Sequence, residues 1–377
     1  MKIFMTRMKQ ISTNEISLIE DHHYPSYVNQ IKRWLNRTEN NITTLQENAI
    51  NELFNKEEIQ YFKELSKNDN LKNGVFIASG ASEWAGSALR MTHCKPEYSG
   101  KIGFKGLINI MAGQLANKLG FTSYVASDAT ACISSLKIID DAILQIQSGR
   151  LDRALLIGWD DTINSATLDV FGFTGASLTK KQYDSGILPS AFDNINGGFF
   201  IGNGVAYILL ESEKAIESSK NEIHAEVIST YIGAEVNTNP IALTYKGYYD
   251  TMNNCLERSE LNKEDILFVK SHGSGTSVNN EAELKAFNMI FENTETKITA
   301  YKPEIGHTMG ASGLIETIIA LNDLKENKIR SIKNNTNSNP QIVSNDIILE
   351  DSKNKYIMLN GSGMGNVFAS VIIKTPE

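Results

Sequence analysis

Apolar runs of strand length alternate along this chain with longer stretches whose apolar residues recur at helical spacing. Gly74–Ala78 and Ala154–Gly158 are continuous apolar runs, which are typical of strands buried on both faces. Leu107–Leu119 and Ile133–Ser148 have helical spacing, and a glycine follows each of them. The alternation predicts an α/β fold with a mainly parallel sheet that helices cover on both sides.

The second part of the chain repeats the theme of the first. Ile266–Lys270 is strand-like, and helical stretches follow it. Thr130-Ala131-Cys132 and Gly310-Ala311-Ser312 each place small residues after a turn and before an apolar helix. We therefore expect two related halves, residues 1–215 and 216–377.

Several apolar side chains are predicted to face inward. In the polar, helix-prone segment Asp21–Asn70 they are Trp34, Leu35, Leu45, Ile50, Leu53 and Phe54. On the two apolar helices they are Leu136, Ile139, Ile143 and Ile146, then Ile315, Ile318, Leu321 and Leu324.

Composition and charge exclude several classes of protein. The 377 residues carry a formal net charge of −8 and no basic stripe, which argues against a nucleic-acid partner. The three cysteines, Cys94, Cys132 and Cys255, suit neither a disulfide framework nor a zinc site, so a reducing, cytoplasmic setting is expected. The first residues do not resemble a signal peptide, and no run approaches the ~20 apolar residues of a membrane span.

Cys132 lies where a predicted strand, Phe121–Ala126, gives way to a predicted helix. Unpaired N–H groups at a helix N-terminus favour negative charge, so this position predicts a thiol with thiolate character. The alternative for the cysteine alone is a buried thiol that packs as a small hydrophobe, which is the more frequent role of a free cysteine.

Two histidines and a glycine-rich string are the other candidates for chemistry. His272 follows the strand Ile266–Lys270, and His307 precedes an apolar helix; glycines flank both. The carboxyl ends of strands are where α/β folds place ligand sites, although a single histidine in a turn is more often only solvated. Asn360–Asn366 contains three glycines, which suits either a close approach to a ligand or a simple strand–turn–strand.

Taken together, these strings resemble the β-ketoacyl synthase family of thiolase-fold condensing enzymes. The motifs that carry the resemblance are Thr130-Ala131-Cys132, His272-Gly273-Ser274-Gly275-Thr276, Lys302 with Gly306-His307, and Asn360–Gly365. They occur in the family's order, and the match extends from Gly74 to the C-terminus. The resemblance implies a thiolase-like fold of two related βαβαβ halves, stacked as α-β-α-β-α layers.

The resemblance also implies a mechanism. Cys132 would take an acyl group from a carrier-protein thioester, and His272 and His307 would stabilise the enolate formed as a malonyl thioester loses carbon dioxide. The backbone N–H groups of Cys132 and Met364 would form the oxyanion hole. Lys302 is implied as a further catalytic residue that orients and tunes the site, with Glu283 in a supporting role. Ser274 and Thr276 would hydrogen-bond the phosphopantetheine arm.

Departures from the family pattern indicate a specialised member. Met364 stands where the family has a gating Phe, Ser362 where it has another aromatic residue, and Asn280 where it has Asp. The pair of histidines resembles chain-elongating, decarboxylative members, so a divergent type II polyketide or polyene ketosynthase is expected rather than the housekeeping fatty-acid enzyme.

The expected partners are an acyl carrier protein and a second ketosynthase-like subunit. The resemblance implies a homodimer, or a heterodimer with a related chain-length-factor subunit, with Lys118 in a carrier docking patch. No cofactor is expected to be bound permanently, and the carrier delivers the phosphopantetheine arm. Three alternatives are a non-catalytic chain-length-factor-like subunit, a thiolase or initiating synthase that uses coenzyme A esters, and an unrelated α/β binding protein.

Overall fold

The computed structural model describes residues 1–17, 51, 53–67, 70–80, 107–160, 171–172, 174–193, 197–237, 239, 243–350 and 356–376, with residues 11–17 described by backbone alone. Of the inward positions predicted in Asp21–Asn70, Leu53 and Phe54 are buried. Trp34, Leu35, Leu45 and Ile50 lie outside the described residues, as does Cys94.

Twelve strands and nine α-helices lie in the described parts of the chain. The strands are β1 (Ile3–Ser17), β2 (Asn73–Ala78), β3 (Tyr124–Asp128), β4 (Arg153–Asp160), β5 (Ile201–Ser212), β6 (Ala225–Ala234), β7 (Ile266–Lys270), β8 (Lys297–Thr299), β9 (Lys328–Ile329), β10 (Ile347–Ile348), β11 (Tyr356–Gly363) and β12 (Val367–Lys374). The helices are α1 (Lys56–Lys67), α2 (Ile108–Leu119), α3 (Ser134–Gln147), α4 (Lys180–Asp184), α5 (Glu213–Ser219), α6 (Tyr245–Ser259), α7 (Ser277–Phe291), α8 (Lys302–Ile305) and α9 (Ser312–Lys325).

Ten of these strands form one sheet in the order β3-β2-β4-β5-β1-β6-β12-β11-β7-β8. The sheet consists of two groups of five strands, β1–β5 and the group β6, β7, β8, β11 and β12. In both groups, the order from the outer edge inward is the third, second, fourth, fifth and first strand of the group. The outer strands pair in parallel: β3 with β2, β2 with β4, β8 with β7, and β7 with β11. The inner strands pair antiparallel: β4 with β5, β5 with β1, β11 with β12, and β12 with β6. The prediction of a mainly parallel sheet was therefore wrong: a short hairpin joins β11 to β12, and short hairpins pair strands antiparallel.

Three large apolar cores pack the helices against the sheet. One core joins α1 and α2 to one face of β2, β4 and β5, and another joins α6 and α7 to one face of β7, β11 and β12. The largest core lies between them and surrounds α3 and α9, whose eight predicted inward positions are buried except for the half-buried Leu324. Both faces of the central strands are thus covered, which explains their continuous apolar runs.

The centre of the molecule contains two matching turns, one from each half. Ala131 and Met309 both have φ 46°, and each begins a 3₁₀ turn that leads directly into α3 or α9. Their alignment pairs Cys132 with Gly310, where a Cβ would lie 2.0 Å from the Gly80 backbone nitrogen. The expected boundary at residue 215 falls inside α5 and stays a prediction.

Candidate active site

Cys132 occupies the middle of the first 3₁₀ turn. The strand leading to it is β3, which begins three residues later than predicted, and the turn spans Ala131–Ile133. Strand β11 passes close by, because a Cβ on Gly363 would lie only 3.2 Å from the Cys132 backbone nitrogen. A glycine is therefore needed at position 363 for the strand to approach the turn.

A cavity of about 290 Å³ opens beside this turn. Six of the residues given a role in the predicted site line it: Cys132, His272, His307, Ser274, Thr276 and Met364. The remaining described lining residues are Phe171, Thr174, Gly175, Ala176, Phe199, Leu243, Ser277, Val278, Asn279, Ser362 and Gly363. The cavity therefore joins one thiol and two imidazoles to a wall of both polar and apolar groups.

His272 is held by hydrogen bonds to its ring and to its backbone. The Ser362 N–H donates to Nδ1 of His272 over 3.3 Å. Glu283 accepts from the N–H groups of His272 (2.6 Å) and Gly273 (2.9 Å). Because Nδ1 is an acceptor, the neutral ring carries its proton on Nε2.

His307 has the same tautomer for the same reason. The Met309 N–H donates to its Nδ1 over 3.2 Å. Its backbone N–H donates to Phe200 and its carbonyl accepts from Gly202, at the start of β5. The two imidazole rings lie 5.4 Å apart, edge to face, so two Nε2–H donors belong to one small site.

Both histidines are neutral at physiological pH. Burial lowers the pKa of His272 and His307 well below the usual value near 6.5, and the positive charge of Lys302 lowers both further. Neutral imidazoles with a protonated Nε2 can stabilise a developing oxyanion without a buried positive charge of their own.

The prediction of thiolate character for Cys132 was wrong for the resting protein. Burial raises the pKa of the Cys132 thiol to about 12, although the nearby Lys302 charge opposes this shift. The side chain is half-buried at the cavity wall, but protein surrounds it on its other sides. Desolvation of the charged form thus outweighs the favourable dipole of the helix start.

This pKa predicts how Cys132 should react with a small neutral alkylating agent. We expect the logarithm of the iodoacetamide rate constant to rise with pH, with a slope of about one and without a plateau between pH 6 and 9, because only the thiolate reacts. Mass spectrometry of the Cys132 peptide measures the rate, and Cys255, which is fully buried, is the internal control. A plateau below pH 8 would show that the thiolate is stabilised.

Lys302 lies behind the cavity in a buried ion cluster. Its Nζ donates to Glu316 over 2.6 Å, and Nζ of Lys270 donates to the other Glu316 oxygen over 2.7 Å. Glu283, which was expected to support Lys302, accepts from the His272 loop, and the Lys302 charge also acts on its carboxyl group. Lys270 also donates to the Asn360 carbonyl, so the cluster joins β7, α8, α9 and β11.

Glu316→Ala is expected to lower the free energy of unfolding by about 3–5 kcal/mol, because it leaves two ammonium groups buried without their partner. Urea denaturation measures the change. The matched control is Asp184→Ala, which breaks the exposed Lys180–Asp184 pair and should change stability by less than about 1 kcal/mol. Equal effects of the two substitutions would contradict a structural role for the cluster.

Several site residues were missed at the sequence level. Glu316 is the one carboxylate near the start of the apolar helix α9, and Lys270 ends the apolar strand β7. A charged residue in an apolar stretch was the available signal for both. Tyr248 and Asn279, which contact Ser362 below the cavity, carried no such signal.

Met364 and Lys118 lie in different surroundings. Met364 is 38% exposed, at the tip of the β11–β12 hairpin and at the cavity wall. Lys118, at the end of α2, donates to Asn51 and is not a lining residue of the cavity. Across the described residues, no cluster of three or more His, Cys, Asp or Glu side chains could hold a metal ion. No helix in the described ranges is long and apolar enough to cross a membrane.

Comparison with family models decides the family. The model described as beta-ketoacyl synthase, N-terminal domain, matches residues 47–215, and the C-terminal domain model matches residues 224–336. The chain belongs to the β-ketoacyl synthase family. The resemblance seen in its motifs is thus confirmed.

Two curated relatives of this chain are named mitochondrial. A putative 3-oxoacyl-[acyl-carrier-protein] synthase of Schizosaccharomyces pombe is 28% identical over 72% of the chain and 66% of the relative. The 3-oxoacyl-[acyl-carrier-protein] synthase of Arabidopsis thaliana is 26% identical over 75% of the chain and 62% of the relative. The match therefore spans a little under two thirds of the length of each relative.

Solved ketosynthase structures share the fold of this chain. A type II polyketide ketosynthase in complex with its acyl-carrier protein superposes with TM-score 0.80 at 16% identity, covering 100% of this chain and 99% of that chain. The ishigamide ketosynthase/chain length factor superposes with TM-score 0.76 at 18% identity, covering 100% of this chain and 99% of that chain. The thiolase-like α/β fold implied by the motifs is confirmed.

Proposed function

We propose that this protein is a β-ketoacyl-[acyl-carrier-protein] synthase that condenses a Cys132-bound acyl group with a malonyl-carrier thioester and releases carbon dioxide. The observation that carries the proposal is the cavity in which one thiol meets two neutral histidines that both present Nε2–H. That set suits a thioester nucleophile together with a pair of donors to an enolate oxygen.

In the first step, the sulfur of Cys132 attacks the acyl carbonyl of the carrier thioester. A new C–S bond forms, the bond to the pantetheine sulfur breaks, and the Cys132 proton ends on the departing pantetheine thiol. The tetrahedral oxyanion suits the backbone N–H groups of Cys132 and Met364, because β11 lies close to the nucleophile turn.

In the second step, the malonyl thioester loses carbon dioxide and leaves its bonding electrons as an enolate. The Nε2–H groups of His272 and His307 donate to the enolate oxygen. The enolate carbon then attacks the acyl-Cys132 carbonyl, a C–C bond forms, and the Cys132 sulfur departs and takes up a proton from water. Burial keeps the two imidazoles neutral and the charge of Lys302 adds to this effect, so Lys302 is proposed to tune the histidines from behind the cavity.

The acyl carrier protein is the proposed partner, and its phosphopantetheine arm enters the cavity. Ser274 and Thr276, whose hydroxyls lie 3.2 Å apart on the cavity wall, are proposed to bind this arm. Among the solved neighbours, one ketosynthase is in complex with its carrier protein. No permanent cofactor is part of the proposal.

Lys118 is proposed to contribute to docking of the acidic carrier. We expect Lys118→Glu to slow acyl transfer from the carrier severalfold, by about two- to fivefold at low salt, because electrostatic steering favours complementary charge. Transfer from a small acyl thioester without a carrier is the control and should not change. If acyl transfer from the carrier were equally fast with the wild-type protein and with Lys118→Glu, Lys118 would not belong to the docking surface.

A homodimer, or a heterodimer with a related subunit, is proposed. In the described part of the sheet β3 is the terminal strand, and its Val125 is 43% exposed. An uncovered strand edge suits pairing with a second chain. Sedimentation velocity of the purified chain tests the homodimer, and a monomer would favour the heterodimer.

Two further proposals concern organisation and compartment. The halves are proposed to divide at residue 215, and a cytoplasmic location is proposed from the sparse cysteines. Cell fractionation tests the location, since the two matched relatives are named mitochondrial.

The decisive experiment incubates the purified protein with an acyl-carrier and ¹⁴C-carboxyl malonyl-carrier. Release of labelled carbon dioxide together with a β-ketoacyl-carrier supports the proposal, and product mass identifies the acyl chain and tests for a specialised polyketide or polyene. Condensation without carbon dioxide release would favour a thiolase. The absence of any Cys132 acylation would favour a chain-length-factor-like subunit.

A further inference from the structure

A buried polar cluster lies directly behind His272. Its members are Tyr248 on α6, Asn279 on α7 and Ser362 on β11, and each is at most 2% exposed. The Tyr248 hydroxyl is within hydrogen-bond distance of Oδ1 of Asn279 and of Oγ of Ser362. An amide oxygen only accepts, so Oδ1 of Asn279 accepts from Tyr248 and lies 3.4 Å from the Ser362 hydroxyl, while the Tyr248 hydroxyl is also within donor distance of Oγ of Ser362.

The cluster is rigid. The Tyr248 ring packs edge to face on Phe368, with centroids 5.0 Å apart. A Cβ at the neighbouring Gly247 would lie 2.1 Å from the Phe368 ring, so α6 approaches β12 as closely as a glycine allows. Burial raises the pKa of Tyr248 well above its usual value, so the phenol keeps its proton.

Ser362 connects this cluster to the catalytic histidine. Its side chain is fixed by Tyr248, and its backbone N–H donates to Nδ1 of His272. Ser362 stands where the family pattern has an aromatic residue, which could be held by packing alone. A serine lacks that packing. The Ser362 backbone is paired with Phe368 in the β11–β12 ladder, and the contact of its hydroxyl with Tyr248 adds a side-chain anchor at this position.

We propose that Tyr248, acting through Ser362, is a positioning residue that keeps His272 in the tautomer with Nε2–H directed to the cavity. The inference rests on the proposed function, because it assigns Tyr248 to the decarboxylation step. When the Tyr248 hydroxyl is absent, this anchor is lost and β11 relaxes locally at Ser362. The Ser362 N–H then shifts away from Nδ1 of His272, and the opposite tautomer becomes populated.

Tyr248→Phe tests the proposal, with Tyr249→Phe on the same helix as the matched control. We expect kcat for malonyl-carrier decarboxylation to fall about tenfold with an unchanged KM, as for a lost buried hydrogen bond. Alkylation of Cys132 should stay within about twofold of the wild-type rate, because the nucleophile turn is not touched. Ser362→Ala should match Tyr248→Phe, and the double variant should lose no more than either single variant.

A second readout separates positioning from general damage. In protein labelled with ¹⁵N-histidine, the His272 signals are assigned by comparison with His272→Gln, and Tyr248→Phe should raise the Nδ1-protonated fraction. An unchanged tautomer, additive losses in the double variant, or the same losses in Tyr249→Phe would overturn the proposal. If the wild-type protein releases no carbon dioxide, the proposed function fails while the tautomer measurement still reports on Tyr248.

Discussion

Cys132→Ala is expected to abolish condensation, with a loss of at least about 10³-fold, and to leave decarboxylation of malonyl-carrier within about threefold of wild type. The reason is the division of labour in the cavity. Among the described lining residues, the thiol is the group that best suits holding the acyl chain, whereas the two Nε2–H donors that suit the enolate belong to His272 and His307. Removal of the Cys132 sulfur therefore prevents acyl transfer to the protein but leaves the groups that support decarboxylation in place.

The two half-reactions are measured separately, by the mass of the acylated protein and by labelled carbon dioxide. Cys255→Ala is the control, because Cys255 is buried between α6 and β12 and should alter neither activity per folded molecule. A Cys132→Ala protein that still forms the β-ketoacyl product would refute the role of Cys132. Simultaneous loss of decarboxylation would instead mean that the thiol takes part in both steps.

His272→Ala and His307→Ala are each expected to lower the decarboxylation rate by about 10²- to 10³-fold, the usual effect of removing one donor from an oxyanion site. Alkylation of Cys132 by iodoacetamide should persist, because burial rather than either imidazole dominates the pKa of its thiol. Initial rates of carbon dioxide release and the Cys132 peptide mass measure the two effects.

The control for this second prediction is His224→Ala. His224 lies beside Glu222 and is not a lining residue of the cavity, so its removal should not change either rate. If one of the two cavity variants kept wild-type decarboxylation, that histidine would not contact the enolate. If both also lost alkylation, disruption of the cavity would be the better explanation.

The residues that could be predicted from the sequence are those whose role follows from a local pattern. Cys132, His272 and His307 each lie next to a strand end or a helix start, with small residues or glycines beside them, so neighbouring residues alone place them at one edge of the sheet. The helices and most strands followed from apolar spacing for the same reason.

The features that could not be predicted depend on contacts between distant segments. Lys302 binds Glu316 rather than Glu283, a choice that depends on how α8 packs against α9. The thiol pKa depends on everything that surrounds Cys132, and the helix start is only one contribution. The antiparallel pairing of β5 with β1 joins segments almost two hundred residues apart, which no local period reports.

The hydrogen bonds that hold His307 cross from one half of the molecule to the other. His307 belongs to the second half, yet its backbone is paired with Phe200 and Gly202 of the first. Asp160 at the end of β4 likewise accepts from the N–H groups of Gly80 and Gly310. Residues from both sides of the proposed boundary therefore hold the site, so neither half alone contains all the hydrogen bonds that fix His307 and the two central turns.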